Sequence, residues 1–322
     1  MMPILDRRTF LTGAGAIYAG GAFSERLFAK SKVPFFRRVQ RPIGLQLYTL
    51  GEVAAPDLEG TLSRVAAIGY RDIELAGLFG LKAVEVKAAA DRAGLSLSSM
   101  HLSGLDGASP GTLSFDSEPQ RLADDLGTLG INRLILPMPP FSASGAQPFA
   151  GEDWGAAVLR IFTAAGADLW KRTAAMLNEK AAAMKPFGIS VGYHNHNIEF
   201  ASVGSMTGWD ILWQQTDPGL VTFELDIAWL AAAGLDPIAF LHKHRGRVRQ
   251  LHVKDVGAST KPNFAFLMEA TEVGSGTLDW AKILPAAYAA GVRHFYVEQE
   301  AFTTPPMESI AKSFDYLSKL AA

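Results

Sequence analysis

From residue 43 onward, strand-like and helix-like stretches take turns eight times, and this alternation leaves few folds open. The runs 43–50, 72–76, 95–102, 131–137, 189–196, 221–226, 248–253 and 294–298 read as strands. Between and after them, 57–68, 81–93, 118–129, 158–187, 208–215, 238–243, 280–290 and 307–320 read as helices. In the first helix Leu58, Leu62, Val65 and Ala66 recur at helical spacing and Gly69 stops it. Gly94, Gly130 and Gly291 close later helices, and a break is expected at Gly166. Strict alternation implies parallel strands joined by helical crossovers. Eight such units close into a barrel, so the expected fold class is α/β, a single-domain (β/α)8 TIM barrel. A doubly wound open sheet would want a glycine-rich phosphate loop after an early strand, and Gly77 and Gly80 do not form one.

The chain has 322 residues, 48% of them hydrophobic. Such a barrel takes about 250 residues, so a leader and insertions fit as well. A net charge of -2 with no basic stripe argues against a nucleic-acid partner. There is no cysteine, which excludes disulfides, thiolate nucleophiles and zinc–thiolate sites. Any metal must therefore sit on His, Asp and Glu. Residues 1–32 differ from the rest. Arg7-Arg8-Thr9-Phe10-Leu11 opens onto a soft apolar stretch, 11–23, followed by Arg26, Lys30 and Lys32. Paired arginines before a mildly hydrophobic run form the pattern of a twin-arginine export signal, with a flexible basic tail as the alternative. The expectation is a leader over 1–32, a barrel over 40–322 and a periplasmic location. The apolar stretch is too short and too glycine-rich for stable membrane insertion.

Barrel enzymes place their chemistry at the C-terminal ends of the strands. The first strand ends near Gln46 and Tyr48, the second carries Glu74, and the third ends at His101. The fifth ends at His194-Asn195-His196 with Glu199 beyond, and the sixth at Asp226. The seventh ends at His252 with Lys254 and Asp255 following, and the eighth at Glu298 and Glu300. Charged and imidazole groups in an apolar barrel are costly unless paired or bound to a cation. Carboxylates with an imidazole form a hard O/N site suited to Mn²⁺, Mg²⁺, Co²⁺ or Zn²⁺. Each residue also has a plainer reading. Asp226 serves equally as a helix N-cap. His101 and His194 read as buried imidazoles bonded to backbone, and Glu300 as solvent-facing. Lys254-Asp255 reads as a surface ion pair, and His242 and His244 as surface residues. A long Pro/Gly/Ser-rich loop over 138–154 follows the fourth strand, and loops of this length are usually functional.

The segment Gly192-Tyr193-His194-Asn195-His196-Asn197-Ile198-Glu199-Phe200 resembles the sugar phosphate isomerase/epimerase group of the xylose isomerase-like TIM-barrel superfamily. Leu225-Asp226-Ile227-Ala228-Trp229, Leu251-His252-Val253-Lys254-Asp255, Val273-Gly274-Ser275-Gly276-Thr277-Leu278-Asp279-Trp280 and Tyr296-Val297-Glu298-Gln299-Glu300 carry the same resemblance, in the family's order. Ile43-Gly44-Leu45-Gln46-Leu47-Tyr48-Thr49 fits the first strand. The resemblance implies one divalent ion, Mn²⁺ first, held by Glu199, Asp226, His252 and Glu298. Many relatives carry a glutamate directly on strand five, so His194 or His196 is an alternative ligand, with Glu199 then contacting substrate. Glu199, Glu298 and His196 become the acid/base candidates. Gln46, Glu74, His101, His194, Trp229 and Lys254 become substrate contacts.

The implied chemistry is proton transfer at a carbon beside the carbonyl of a sugar or keto-sugar, an isomerase or epimerase reaction. Dehydration or lysis of a keto-sugar, an inosose or a keto-glycoside remains open. So does a non-catalytic sugar-binding barrel. Metal-assisted phosphodiester hydrolysis would require a basic surface that this chain lacks. The partner is a small-molecule sugar, and homo-oligomerisation is left open. Outside the cytoplasm, free or glycosidic sugars fit better than sugar phosphates, and no Arg/Lys phosphate clamp stands at the expected rim.

Overall fold

Alternation within single strands sets the barrel's two faces. In Val221-Thr222-Phe223-Glu224-Leu225-Asp226 the apolar residues share one side and the polar ones the other. The computed structural model describes residues 32–104, 112–141, 149 and 151–322. The twin-arginine stretch and residues 142–148 and 150 of the 138–154 loop lie outside the described residues. Eight strands close a barrel: β1 (Gly44–Gln46), β2 (Asp72–Leu75), β3 (Ser96–His101), β4 (Arg133–Leu136), β5 (Ser190–His194), β6 (Val221–Asp226), β7 (Val248–Val253) and β8 (His294–Val297). Every neighbouring pair is parallel, and β1 pairs with both β2 and β8, so the sheet has no open edge. The fold is a single-domain TIM barrel.

Helices cover the outward face. Leu58–Ile68 starts where the Asp57 carboxylate accepts the Gly60 N–H at 2.9 Å and stops at Gly69. Trp154–Met184 begins at the Asp153 cap and bends at Gly166, whose φ of 59° and ψ of -148° break the helix where the sequence predicts. Outside β6, Phe223 packs against Trp209 and Trp213 of helix Gly208–Gln215 at ring separations of 4.8 and 5.3 Å. Burying each such ring stabilises the fold by roughly 1.5–3 kcal/mol.

Three features depart from the expected pattern. A short helix, Ile227–Ala232, follows β6 directly. Another, Phe35–Val39, precedes the expected barrel start at residue 40; Phe35 and Phe36 are buried edge-on against Phe295 at 5.9 and 5.6 Å. The third concerns His244, expected at the surface. It caps helix Pro237–Lys243 and is only 2% exposed. Its Nε2 accepts the Trp209 indole N–H at 3.2 Å, while Nδ1 lies 2.9 Å from the Phe240 carbonyl. Among the described residues no helix is long and apolar enough to cross a membrane.

Candidate active site

The inward face of the strands is polar through much of its depth. Gln250, from the middle of β7, reaches across the lumen: its Nε2 lies 3.0 Å from Glu74, 2.9 Å from Ser99 and 2.8 Å from Glu224. Glu74 and Glu224 are wholly buried. Unpaired buried carboxylates would be prohibitive, and three imidazoles meet them. One oxygen of Glu224 lies 2.7 Å from His101 Nε2, 3.0 Å from His252 Nε2 and 3.0 Å from His194 Nδ1. One oxygen of Glu74 accepts from Gln46 Nε2 at 2.7 Å and from His252 Nε2 at 2.7 Å. The electrostatics follow from these contacts. Burial pushes Glu74 upward, but His101 and His252 overcome it and hold Glu74 well below the usual carboxylate range. Burial opposes protonation of His101, yet Glu74 and Glu224 raise it to about 10. His194 is left neutral, depressed by burial and by the charged His252.

Above this layer a second cluster opens at the C-terminal rim. Asp226, His252 and Glu298 each offer a ligand atom, all within 4.8 Å of one another. His252 Nδ1 lies 3.0 Å from Glu298 Oε2 and 3.8 Å from Asp226 Oδ2. Both readings of Asp226 hold, divided between its two oxygens. Oδ1 caps helix Ile227–Ala232 by accepting the Trp229 N–H at 2.9 Å, while Oδ2 is buried without a hydrogen-bond partner. Asn195 fixes this strand end by accepting the Asp226 N–H at 3.0 Å. Burial, with Glu298 adding to it and Lys254 opposing, raises Asp226 to about 7.

Lys254 and Asp255 are not a surface ion pair; both are wholly buried, with separate partners. Lys254 Nζ lies 2.8 Å from Glu300, 3.0 Å from Glu298 and 3.5 Å from Asp226. These three carboxylates outweigh burial and hold the ammonium charged. Glu300 thus faces Lys254 rather than solvent alone. Asp255 organises the Gly274–Trp280 turn, accepting from Gly274 N at 2.9 Å and from the Trp280 indole at 2.9 Å. A Cβ at Gly276 would collide with the Asp255 carboxylate, which explains that glycine in the motif.

Glu199 stands apart from the three converging donors. Its Oε1 accepts the Tyr193 hydroxyl at 2.6 Å and its Oε2 accepts the His196 N–H at 2.8 Å. Burial raises it to about 7 against the pull of those bonds. His196 borders the aromatic rim and its Nδ1 has no hydrogen-bond partner. Burial, with Lys254 next, lowers it to about 3, so the ring is neutral. Trp229 lies 5.7 Å from His196, with Lys254 Nζ 4.9 Å from its ring centroid. Gln46, Glu74, His101 and His194 all face the lumen, within the layer beneath the rim cluster. Glu224 and Gln250, central to that layer, were not singled out from the sequence. Their signal was parity: each stands two residues before a rim residue, Asp226 and His252, on the same strand face.

The three donors suit a hard divalent ion. They are two carboxylates and an imidazole, one buried oxygen accepts no hydrogen bond, and Glu74 can hold His252 by its Nε2–H so that Nδ1 faces the cluster.

A family model described as xylose isomerase-like TIM barrel matches residues 62–320. The chain belongs to this family. An inosose dehydratase of Geobacillus thermodenitrificans is 30% identical over 145 residues, 40% of this chain and 47% of that protein. One from Clostridium beijerinckii is 29% identical over 163 residues, covering 47% of this chain and 54% of that one. The chain thus spans about half the length of the curated relatives it matches. A solved sugar phosphate isomerase/epimerase from Parabacteroides distasonis is 26% identical with a TM-score of 0.68, covering 86% of this chain and 97% of that one. An L-ribulose 3-epimerase shares the fold, with a TM-score of 0.58 at 15% identity over 86% of this chain and 93% of that one.

Proposed function

We propose that this barrel is a divalent-metal-dependent isomerase or epimerase that moves a proton at the carbon beside a sugar or keto-sugar carbonyl. One observation carries the reading: the buried Oδ2 of Asp226, which accepts no hydrogen bond, converges with His252 and Glu298, beside a neutral imidazole, His196, whose Nδ1 has no hydrogen-bond partner. Asp226, His252 and Glu298 would hold the ion, Mn²⁺ first; Glu199 would join only by giving up bonds it now makes. When bound, such an ion polarises a carbonyl and stabilises the negative charge that develops on its oxygen. His196 accepts a proton at Nδ1. Burial raises Glu199 to about 7, so both its protonated and its charged form are present at neutral pH, which suits a general acid or base. The Lys254 ammonium donates to a substrate oxygen at the rim. Two groups on opposite faces of the carbon give an epimer, and one group working between adjacent carbons gives an aldose–ketose isomer.

A second reading, loss of water from a keto-sugar or inosose, is favoured by the relatives named inosose dehydratase. It uses the same proton abstraction, with Glu199 in its acid form protonating the departing hydroxyl. Keto-sugars, inososes and glycosides incubated with Mn²⁺ and read by NMR separate the two. Isomeric products are expected, products lighter by one water select dehydration, and saturable binding without turnover selects a binding protein. Export is part of the proposal and rests on Arg7-Arg8 and the apolar run 11–23. A reporter fused to residues 1–35 should leave the cytoplasm, and Arg7→Lys with Arg8→Lys should retain it; unchanged export in the double variant overturns the signal.

A further inference from the structure

Beyond the charged cluster the rim continues as a wall of aromatic rings. Phe266 lies 5.2 Å from the His196 ring, 5.9 Å from Trp229 and 5.3 Å from Trp154. Trp154, the outermost, is 49% exposed. Trp229 is only 3% exposed, and its indole N–H has no hydrogen-bond partner. The adjoining His196 contributes a second unpartnered atom, Nδ1. Buried polar groups left unsatisfied cost free energy and mark places where a hydroxyl-bearing ligand fits.

This wall is held in place by specific contacts. Phe266 has a φ of 57°, in the left-handed region that side-chain-bearing residues avoid. Asn263 and Asn197 enforce it: Asn263 Oδ1 accepts the N–H groups of Ala265 and Leu267 at 3.0 and 3.2 Å, and Asn197 Oδ1 accepts that of Phe266 at 3.2 Å. Asn197 in turn donates to Asn263 Oδ1 at 2.9 Å. On the other side, a Cβ at Gly155 would strike the Ala265 carbonyl oxygen, so glycine there lets the start of helix Trp154–Met184 approach and sets Trp154 against Phe266. A strained residue, two asparagines and a close-approach glycine together fix two aromatic rings over the approach to the site.

We infer that Trp154 and Phe266 form an outer subsite for a second sugar ring, so that the substrate is a glycoside whose inner, ketone-bearing ring lies at Asp226, Glu298 and Lys254. This rests on the reading of the rim as a sugar site. A ring engaged with Lys254 meets Trp229 and His196 first; Trp154 is two ring-to-ring steps farther out and contacts what the inner ring carries. Flat aromatic faces suit the C–H face of a pyranose, while the Trp229 indole N–H at the junction suits a hydroxyl or the glycosidic oxygen.

Calorimetry on the full-length protein, with methyl β-glucoside, cellobiose, maltose and trehalose as the sugars and as their ring ketones, tests this. At least one disaccharide ketone should bind tenfold or more tighter than the methyl glycoside ketone. Trp154→Ala and Phe266→Gly should each remove most of that gain and leave the methyl glycoside within twofold. Glycine accepts the left-handed backbone, so the second variant keeps the loop, which an unchanged melting midpoint verifies. A methyl glycoside that binds with no gain from any second ring, or variants that weaken both ligands equally, overturns the subsite alone. Binding of neither class overturns the sugar reading of the rim with it.

Discussion

His252 Nε2 lies 2.7 Å from Glu74 Oε1, on the far side of the imidazole from Glu298. An imidazole that binds a metal through Nδ1 must keep its proton on Nε2, and a buried carboxylate there fixes both tautomer and ring orientation. Glu74→Gln should therefore weaken Mn²⁺ binding by roughly 10–100-fold without touching a ligand. Titration of chelator-stripped protein checks this, with Asp226→Asn as the reference for losing a ligand. Binding unchanged in Glu74→Gln would mean that Glu74 only balances charge beneath the site.

Glu199 supplies a second contrast. Its bonds to Tyr193 and His196 leave it outside the Asp226–His252–Glu298 set. Glu199→Gln should cost less metal affinity than Asp226→Asn but lower turnover tenfold or more. If Glu199 acts as the base, wild-type activity climbs as pH rises through about 7, where burial has placed its carboxyl, and the variant loses that limb. A pH–rate profile on metal-saturated enzyme reads it. A larger metal loss in Glu199→Gln than in Asp226→Asn would return Glu199 to the ligand set.

The rim was legible because its residues interrupt strand ends. Asp226 and His252 each stand at or next to the last residue of a strand whose bounds, 221–226 and 248–253, the sequence predicts. The layer beneath was harder to see. Glu224 and Gln250 lie inside strands buried on both faces, where a polar residue amid Val, Phe and Leu looks like a defect until its partners across the lumen are known. Those partners come from β2 and β3, far away in sequence. His244 reads from the sequence as a surface residue, and Lys254 both as half of a surface ion pair and as a substrate contact, for a related reason. Local spacing does not reveal that Trp209 reaches back to the first or that three carboxylates from two other strand ends enclose the second. The outer rings were illegible because Trp154, at the start of a helix, meets Phe266, in a loop more than a hundred residues later.

His244 gives a stability prediction separate from the chemistry. Burial lowers its pKa below the ordinary 6.5, and its Nε2 must stay unprotonated to accept the Trp209 N–H. The unfolded chain therefore binds a proton that the folded chain resists, so stability rises with pH in this window. The contribution is complete above about pH 6.5 and is lost as pH falls below it. The lost hydrogen bond is worth about 1 kcal/mol. Denaturant titrations at pH 7.5 and 5.5 should show a larger drop for the wild type than for His244→Gln, which cannot titrate. Equal drops would place the acid sensitivity elsewhere.

The chemical step has a direct isotopic signature. Both proposed reactions begin by breaking a C–H bond beside a carbonyl, since the resulting charge is the one a rim ion and the Lys254 ammonium can stabilise on oxygen. Substrate turned over in D₂O should acquire deuterium at the carbon to which a proton returns, the same carbon in an epimerase and its neighbour in an isomerase or dehydratase. An epimerase working with separate groups on the two faces should label its product almost fully, because the returning proton comes from a group equilibrated with solvent. An isomerase that carries one proton between neighbouring carbons should label partially, the more so the longer the intermediate lives. A dehydratase places the label at the neighbouring carbon, the one that lost its hydroxyl, once the enol product returns to a ketone. His196→Ala should cut the labelling rate tenfold or more while leaving Mn²⁺ affinity within a few-fold, which separates a proton-transfer role from metal binding. NMR of the product identifies the labelled carbon, and a deuterated substrate supplies the primary isotope effect. Turnover with neither label nor isotope effect would remove proton abstraction from the mechanism and leave hydrolysis as the reaction to explain.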